Sequence, residues 1–151
     1  MNIKFLQNIH IKEARGQSLV EMAITLTVIL YLLLGAVEFS LALFQYVAMR
    51  DAAQEGAIYG SINPSDMVGI ENRAIAAASD IMVIAGANIS VNLLGSSYCE
   101  GLSASGAPNA IEIEVTFPHK IFMPLVTPII GTDTINLTAN VTSTILQPAC
   151  T

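Results

Sequence analysis

Few residues of this chain have the types that catalysis or metal binding requires. The 151 residues include twelve acidic residues, two histidines and two cysteines. Glu112 and Glu114, in the segment IEIEV, are two carboxylates at a spacing that could serve acid–base chemistry. The alternation of this segment puts both on one face of a strand, and no histidine or metal-ligand pattern accompanies them. We therefore interpret them as part of a solvated face and do not expect an enzyme.

The other reactive side chains are also sparse. His119 stands beside Lys120, and the only other histidine is His10 in the leader, so we expect His119 to be a surface residue rather than a ligand. The sequence contains no glycine-rich phosphate loop, metal-ligand spacing or nucleophile–base pair, so no cofactor is expected. Cys99 and Cys150 could form one disulfide in an oxidising compartment; the alternative is two unpaired small apolar residues.

Charge is divided unevenly along the chain. Residues 1–16 contain three basic residues and one acidic residue, a net charge of +2, whereas the rest contains three basic and eleven acidic residues, a net charge of −8. Nucleic-acid binding needs a basic surface, and none is expected here. Because positive charge before an apolar segment stays in the cytoplasm, the C-terminal part is expected to face outward.

A long apolar segment must position everything that follows it. Residues 22–37 contain no charge, and with Phe39–Phe44 the apolar run reaches the roughly 20 residues that a helix needs to cross a bilayer. Glu21 and Glu38 bracket the charge-free part, and an ionisable group at membrane depth costs at least ~2.5 kcal/mol unless it faces a partner. A simple signal anchor holding an exported domain is the alternative, but such an anchor gains nothing from Glu21.

The boundary between the basic leader and the apolar run carries a specific motif. The candidate cut lies before the apolar helix, whereas an ordinary secretory signal is cut after its apolar core. The residues ARGQSLVE resemble the processing site of type IV prepilins, which a membrane peptidase cuts after a glycine, leaving glutamate as the fifth mature residue. Gly16 matches the glycine and Glu21 the glutamate. Gln17, the first mature residue, departs from the Phe or Met of many type IV pilins.

The resemblance extends beyond the cut. Residues 14–60, with an acidic residue late in the apolar helix and an alanine-rich turn after it, resemble the TadE-like branch of the pilins. This implies a structural pilin subunit of a Tad or type IV-like pilus, held in the bacterial inner membrane and then polymerised as a homo-oligomer into an extracellular helical filament. It also implies a prepilin peptidase, an assembly ATPase and platform proteins as partners, and no nucleic acid.

Two other interpretations stay open. A minor TadE-like pseudopilin, which primes or tips a filament made by another subunit, shares every feature of the sequence. A membrane-anchored extracytoplasmic binding protein is the third interpretation, and it predicts that no filaments form.

The first long helix is predicted for residues 17–60, of which residues 17–46 form the membrane or filament-core part. Ser18 and Glu21 have the spacing of a capping box. In a filament the Glu21 carboxylate could instead pair with the N-terminal amine of a neighbour, which we favour as its main role. Gly35 offers a shallow place for close helix packing.

Two further expectations concern the end of this helix. Glu38 is spaced so that it could reach Arg50 of an offset neighbour. From Arg50 the sequence becomes amphipathic, and one face is expected to pack under the head. The residues on that face or its borders are Val47, Ala48, Asp51, Ala52, Glu55 and Ile58.

Residues 61–151 are predicted to form a globular head. A break at residues 61–65, SINPS, precedes a second helix from about Asp66 to Ala85, capped by Ser65. Three segments then alternate with a period of two: NISVNLL, IEIEVTF and TINLTANVTSTIL. The fold class is therefore α+β, with a long N-terminal helix as hydrophobic stem, a second helix and a small antiparallel sheet of about three strands. The domains are 1–16, 17–60 and 61–151.

Two stretches of the head carry further predictions. The segment PHKIFMPLVTPIIGTD, between the second and third strands, contains three prolines and many apolar residues. It is a candidate for subunit contact, or else a loop tucked back on its own core. Asn88, Asn136 and Asn140 stand in Asn-X-Ser/Thr sites and are candidates for glycosylation, although such matches arise easily in a threonine-rich strand.

Overall fold

The computed structural model describes residues 3–84, 88–95, 97–99, 109–124 and 126–147, with side chains from residue 16 onward. The elements in chain order are α1 (Ile3–Ile62), α2 (Met67–Ala78), β1 (Ile89–Leu94), β2 (Ala110–Lys120), α3 (Val126–Ile130) and β3 (Thr134–Thr144). The predicted α+β class is confirmed, with a long N-terminal helix, a second helix and a three-stranded antiparallel sheet. The chain divides into two compact units, residues 1–39 and residues 40–151.

Helix α1 begins earlier than the sequence predicted. It runs without interruption from Ile3 to Ile62, so the leader is helical and Ser18 lies inside the helix. No proline occurs before Pro64, so nothing removes a donor from the i→i−4 hydrogen-bond ladder. The expectation that Ser18 caps the first turn is therefore wrong for the uncut chain.

In the second unit, α1 packs through a face of small residues. Residues 48–61 on that face are buried, whereas Val47, Asp51, Glu55 and Ile58 are exposed. Of the six residues expected on that face or its borders, only Ala48 and Ala52 are therefore buried. Small side chains, rather than larger or charged ones, are buried on this face because they let other elements approach the helix backbone closely. The buried residues are Ala48, Met49, Ala52, Ala53, Gly56, Ala57, Gly60 and Ser61.

Helix α2 is shorter than expected and has a different cap. It covers Met67–Ala78, and its N-cap is Asp66, whose side chain accepts a hydrogen bond from the Gly69 N–H. After Ala78 the chain turns, and Met82 and Ile84 are then buried while Val83 between them is exposed, an alternation typical of an extended chain. The predicted Ser65 cap and the helical extension to Ala85 are therefore wrong.

The sheet has the order β1-β2-β3, and its apolar face closes the core. Strand β1 pairs with Ala110–Val115 of β2, and β3 pairs with the whole of β2. Ile111, Ile113 and Val115 are fully buried, as their alternation predicted. The core joins these side chains to Ile70, Ala74 and Ala78 of α2 and to the small-residue face of α1.

Strands β2 and β3 continue beyond β1 as a two-stranded hairpin. Pro118 lies in this part of β2, where no β1 residue faces it, so its missing N–H costs the sheet no ladder bond on that side. The hairpin is joined by a segment containing α3, a short helix that the alternation did not predict. Pro128 is tolerated there because it stands in the first turn, where helical N–H groups have no intrahelical partner.

Candidate functional site

The α1 segment in the first unit exposes apolar side chains on all sides. Between residues 16 and 39 no side chain is buried. Among the exposed large side chains are Leu19, Met22, Ile24, Leu32, Leu33 and Phe39. Soluble monomers rarely expose continuous apolar surface larger than a few hundred Å². This segment therefore needs lipid or other protein chains around it.

Length and composition also make α1 a candidate for crossing a membrane. The stretch Gly16–Ile62 contains an 18-residue window with a mean hydropathy of 2.2, and none of that window is buried. A core helix of a soluble protein would be mostly buried. The exposed window therefore differs from such a core helix, and its length and composition suit a membrane helix, a signal sequence or a helix covered by other protein chains.

Gly16 and Gln17, the candidate cut, are exposed on α1. A Cβ atom added at Gly16 would meet no other atom within 4 Å, and the backbone there does not have a positive φ. Neither packing nor backbone conformation of the folded chain therefore requires glycine at this position.

Glu21 is exposed in a stretch where nearby hydroxyl groups bond within the helix. Thr25 Oγ1 donates to the backbone oxygen of Glu21 at 2.9 Å, and Thr27 Oγ1 donates to that of Ala23 at 2.8 Å. A hydroxyl group that is hydrogen-bonded to the backbone of its own helix can be placed in apolar surroundings at a small cost in free energy. A carboxylate at this depth needs an external partner once water is removed.

Gly35 and Glu38 lie three residues apart and so share one face of α1. Both are half-buried. Arg50, the expected partner of Glu38 across a subunit boundary, is exposed. The proposed roles of Gly35 and Glu38 concern contacts between chains and stay predictions.

The second unit contains a polar cluster that the sequence did not reveal. The Tyr59 hydroxyl donates to Asp66 Oδ2 at 2.8 Å, and the Gly69 N–H donates to Asp66 Oδ1 at 3.0 Å. The hydrogen bond from Tyr59, followed by that from Gly69, holds the pKa of Asp66 below its ordinary value. The Arg73 guanidinium lies 5.5 Å from the centre of the Tyr59 ring, within cation–π range. The cluster fastens the start of α2 to α1.

An open groove of about 510 Å³ runs between α1 and α2 in the second unit. Its lining residues are Asp51, Gln54, Glu55, Arg73, Ala76 and Ala77. Charges of both signs stand over small apolar side chains, a composition typical of a hydrated surface. Across the described parts of the chain, no three His, Cys, Asp or Glu side chains are grouped so that they could hold a metal ion.

The structure separates His119 from the two strand carboxylates. Glu112 and Glu114 are half-buried on the outer face of β2, opposite Asn92 and Ser90 of β1. His119 is an odd number of residues away, so its side chain points to the opposite face. There it is 2% exposed. The surface position expected for His119 is therefore wrong.

Burial of His119 is explained by a partner on α1. Its Nδ1 lies 2.6 Å from Oε1 of Gln45, and because an amide oxygen only accepts, Nδ1 donates in this orientation. The two residues are 74 positions apart in the sequence. No local signal in either segment could have predicted this contact.

The cysteines and the asparagine sites are only partly described. Cys99 is disulfide-bonded, and Cys150, the partner expected for it, lies outside the described residues. Asn136 and Asn140 are exposed on β3, and Asn88 is half-buried just before β1. Exposure is compatible with glycosylation, which stays a prediction.

The comparisons with known proteins concern α1. Residues 16–57 match the family model described as TadE-like protein. The match begins at the candidate cut and ends within α1, so it confirms the resemblance for the segment that carries Glu21, Gly35 and Glu38. No curated protein and no solved structure matches the chain. The match and the exposed apolar helix together fit a membrane protein associated with the Tad pilus.

Proposed function

We propose that this chain, whose residues 16–57 are TadE-like, is a structural pilin subunit of a Tad or type IV-like pilus. It is inserted in the bacterial inner membrane with its head outside and is then polymerised into an extracellular filament through α1. The observation that carries the proposal is the α1 segment of residues 16–39, on which no side chain is buried. Lipid covers this surface before assembly, and neighbouring copies of α1 cover it afterwards.

The chemical step that prepares the subunit is peptide-bond cleavage after Gly16 by a prepilin peptidase. An exposed glycine that the fold does not require is suited to recognition by another protein. Cleavage removes the leader and leaves Gln17 with a free α-amine, whose ordinary pKa of about 8 makes it mostly cationic at neutral pH. The mature helix therefore begins with a positive charge four residues before Glu21.

Glu21 neutralises the amine of a neighbouring copy when the apolar run leaves the membrane. Because α1 exchanges lipid for similar apolar helices, assembly does not expose its surface to water. Removing both charges from water is costly, so the pair fixes the register of the helices more than it stabilises them. Gly35 lets two helices approach closely, and Glu38 pairs with Arg50 of a copy offset by about 18 Å, the rise of twelve helical residues.

Assembly in this scheme needs partners that the chain itself does not contain. These are a prepilin peptidase, an assembly ATPase and platform proteins of the inner membrane. The chain itself acts as a structural component and not as an enzyme. A minor subunit that primes or tips a filament made by another chain would use the same exposed helix.

The direct test of the Glu21 role replaces the carboxylate with a neutral side chain. Glu21→Ala and Glu21→Gln should remain in the membrane fraction while filaments, counted by electron microscopy, are lost or disordered. Thr25→Ala is the matched control because it lies one turn away in the same apolar stretch, and it should give normal filaments. Normal filaments from both Glu21 variants would contradict the role.

Mass spectrometry of the assembled subunit tests the cut. A chain beginning at Gln17 is expected, and Gly16→Leu should leave the leader in place. A filament subunit that begins at Met1 would contradict cleavage. Filaments formed when this chain is the only pilin produced identify a major subunit; filaments that appear only with a second pilin identify a minor one.

A further inference from the structure

The hairpin of β2 and β3 ends in an apolar tip. The tip comprises residues 122–124 and 126–132, and the sequence from Ile121 to Thr132 contains no charged residue. Phe122 is 68% exposed and Ile129 is 82% exposed, and Ile130 is also exposed. A group of exposed apolar side chains of this kind marks a surface that contacts lipid or protein.

Contacts within the second unit fix the direction in which the tip points. The backbone positions of Gly60 and Gly56 approach Ile111 and Ile113 respectively, and Gln45 bonds to His119. As β2 advances in sequence, its contacts on α1 therefore move towards lower residue numbers. Strand and helix run antiparallel to each other.

The lengths of the two elements agree with this direction. From Ile113 to His119 the strand advances about 20 Å at ~3.3 Å per residue. From Gly56 to Gln45 the helix advances about 16 Å at ~1.5 Å per residue. The hairpin ladder then continues past His119, because the backbone N–H of Ile121 donates to the backbone oxygen of Asp133 at 2.8 Å. The tip therefore lies beyond Gln45, towards residues 40–44 of α1.

Residues 40–44 are the end of the apolar run. Leu41, Leu43 and Phe44 are exposed there, and the exposed Tyr46 follows them. Tyrosine is enriched where a membrane helix leaves the hydrocarbon, since its ring is amphipathic. The level of Gln45 and Tyr46 thus corresponds to the membrane surface when α1 spans a bilayer. The tip therefore lies on the membrane side of the level of Gln45 and Tyr46.

The backbone of the tip is also suited to apolar surroundings. The Gly131 N–H donates to the backbone oxygen of Thr127 at 2.9 Å, and the Val126 N–H donates to the backbone oxygen of Met123 at 3.3 Å. Pro124 and Pro128 have no N–H to satisfy. Backbone donors that are bonded internally, or absent, reduce the cost of leaving water.

We propose that, while α1 spans the membrane, the tip inserts Phe122, Ile129 and Ile130 into the lipid leaflet on the side of the head. This proposal rests on the membrane stage of the proposed function. Lipid is the occupant that fits, because the tip lies towards the exposed apolar side chains of residues 40–44 in the same unit. Lys120, exposed at the base of the tip, is placed to meet anionic lipid head groups. The second contact with the bilayer sets the orientation of the head before assembly.

The absence of tryptophan from the chain allows a direct test. Full-length Ile129→Trp is reconstituted in vesicles of phosphatidylethanolamine and phosphatidylglycerol, with and without lipids that carry a nitroxide near the head group. Its emission should shift to shorter wavelength and should be strongly quenched by the nitroxide. Phe122→Trp should behave in the same way, and it serves as a second probe if Ile129→Trp folds poorly.

Leu146→Trp is the matched control. The apolar side chain of Leu146 is 74% exposed. Its backbone N–H donates to the backbone oxygen of Ser61, near the C-terminal end of α1 and far from residues 40–44. Its emission should be unshifted and unquenched. A blue shift of the tip probes that fades on diluting the protein in lipid, without quenching, would show contact between copies and overturn the proposal.

A third probe separates this proposal from the membrane stage itself. Leu30→Trp lies in the charge-free part of α1 and should be quenched by nitroxides placed deep on the acyl chains. If Leu30→Trp is quenched while both tip probes behave like Leu146→Trp, the tip contact is wrong and α1 still spans the bilayer. If Leu30→Trp is not quenched, the membrane stage of the proposed function fails, and the tip contact fails with it.

Discussion

The two parts of α1 use one secondary structure for opposite purposes. Residues 16–39 carry large branched side chains on all sides and bury none of them, whereas residues 48–61 bury a face of alanine and glycine against α2 and the sheet. Small residues allow close packing within one chain. Large exposed residues leave the first part available to lipid or to other copies. The contrast shows that the buried core lies in the second unit, while the proposed function assigns association to the first.

The largest effect that separates the two parts should come from truncating a core side chain. Ile113→Ala removes a fully buried side chain facing α1 and should lower the unfolding free energy by about 2–5 kcal/mol. Ile24→Ala, in the exposed part, should change it by less than about 0.5 kcal/mol. Urea unfolding of the full chain in detergent micelles measures both. Equal losses would mean that the first part of α1 contributes to the same core.

A second effect comes from adding bulk at glycines. A Cβ atom at Gly60 would lie 3.1 Å from Ile70 Cδ1 and 3.2 Å from Ile111 Cδ1, so Gly60→Leu should overpack the core and cost about 1–3 kcal/mol. The same change at Gly16 has free space and should leave the unfolding free energy unchanged. A stable Gly60→Leu head would show that α1 and the sheet are packed less closely than the contacts imply.

The third effect concerns the cap of α2. Asp66→Ala removes the acceptor for both Tyr59 and Gly69 and should lower the melting temperature, because α2 loses its N-cap. Asp80→Ala, an exposed carboxylate after α2, is the control and should have little effect. Thermal unfolding followed by circular dichroism distinguishes them. A loss as large for Asp80→Ala would contradict the capping role.

The smallest effect is a dependence on pH. Because hydrogen bonds lower the pKa of Asp66 in the folded state, its contribution to stability is present above its unfolded-state pKa, about 3.9. That contribution is lost as the pH falls through the lower folded-state pKa. Asp66→Asn keeps a capping side chain but does not titrate, so its unfolding free energy should fall less than that of the unchanged protein between about pH 5 and pH 2. Parallel curves would contradict the assigned pKa direction.

Two features that depend on a few neighbouring residues could be predicted from the sequence. The alternation of IEIEV gave the correct buried face of β2, because the period of a strand is fixed by its geometry. The motif around Gly16 and Glu21 identified the segment that the TadE-like family model matches. Both features lie within a few consecutive residues.

Features that depend on distant partners were missed. Burial of His119 requires Gln45, and the choice of the Ala52–Gly56 face over Asp51 and Glu55 depends on how closely the sheet and α2 approach α1. The end of α2 was missed for a related reason, since Met82 and Ile84 are buried in a core that the distant strands help to form.

Electron cryomicroscopy of filaments from cells that produce this chain tests the central claim most directly. We expect filaments whose core contains α1 segments beginning at Gln17, with the Glu21 carboxylate within hydrogen-bond distance of a neighbouring amine and the sheet on the outside. Filaments that lack this chain, or that hold it through the sheet with residues 17–39 outside the core, would contradict it.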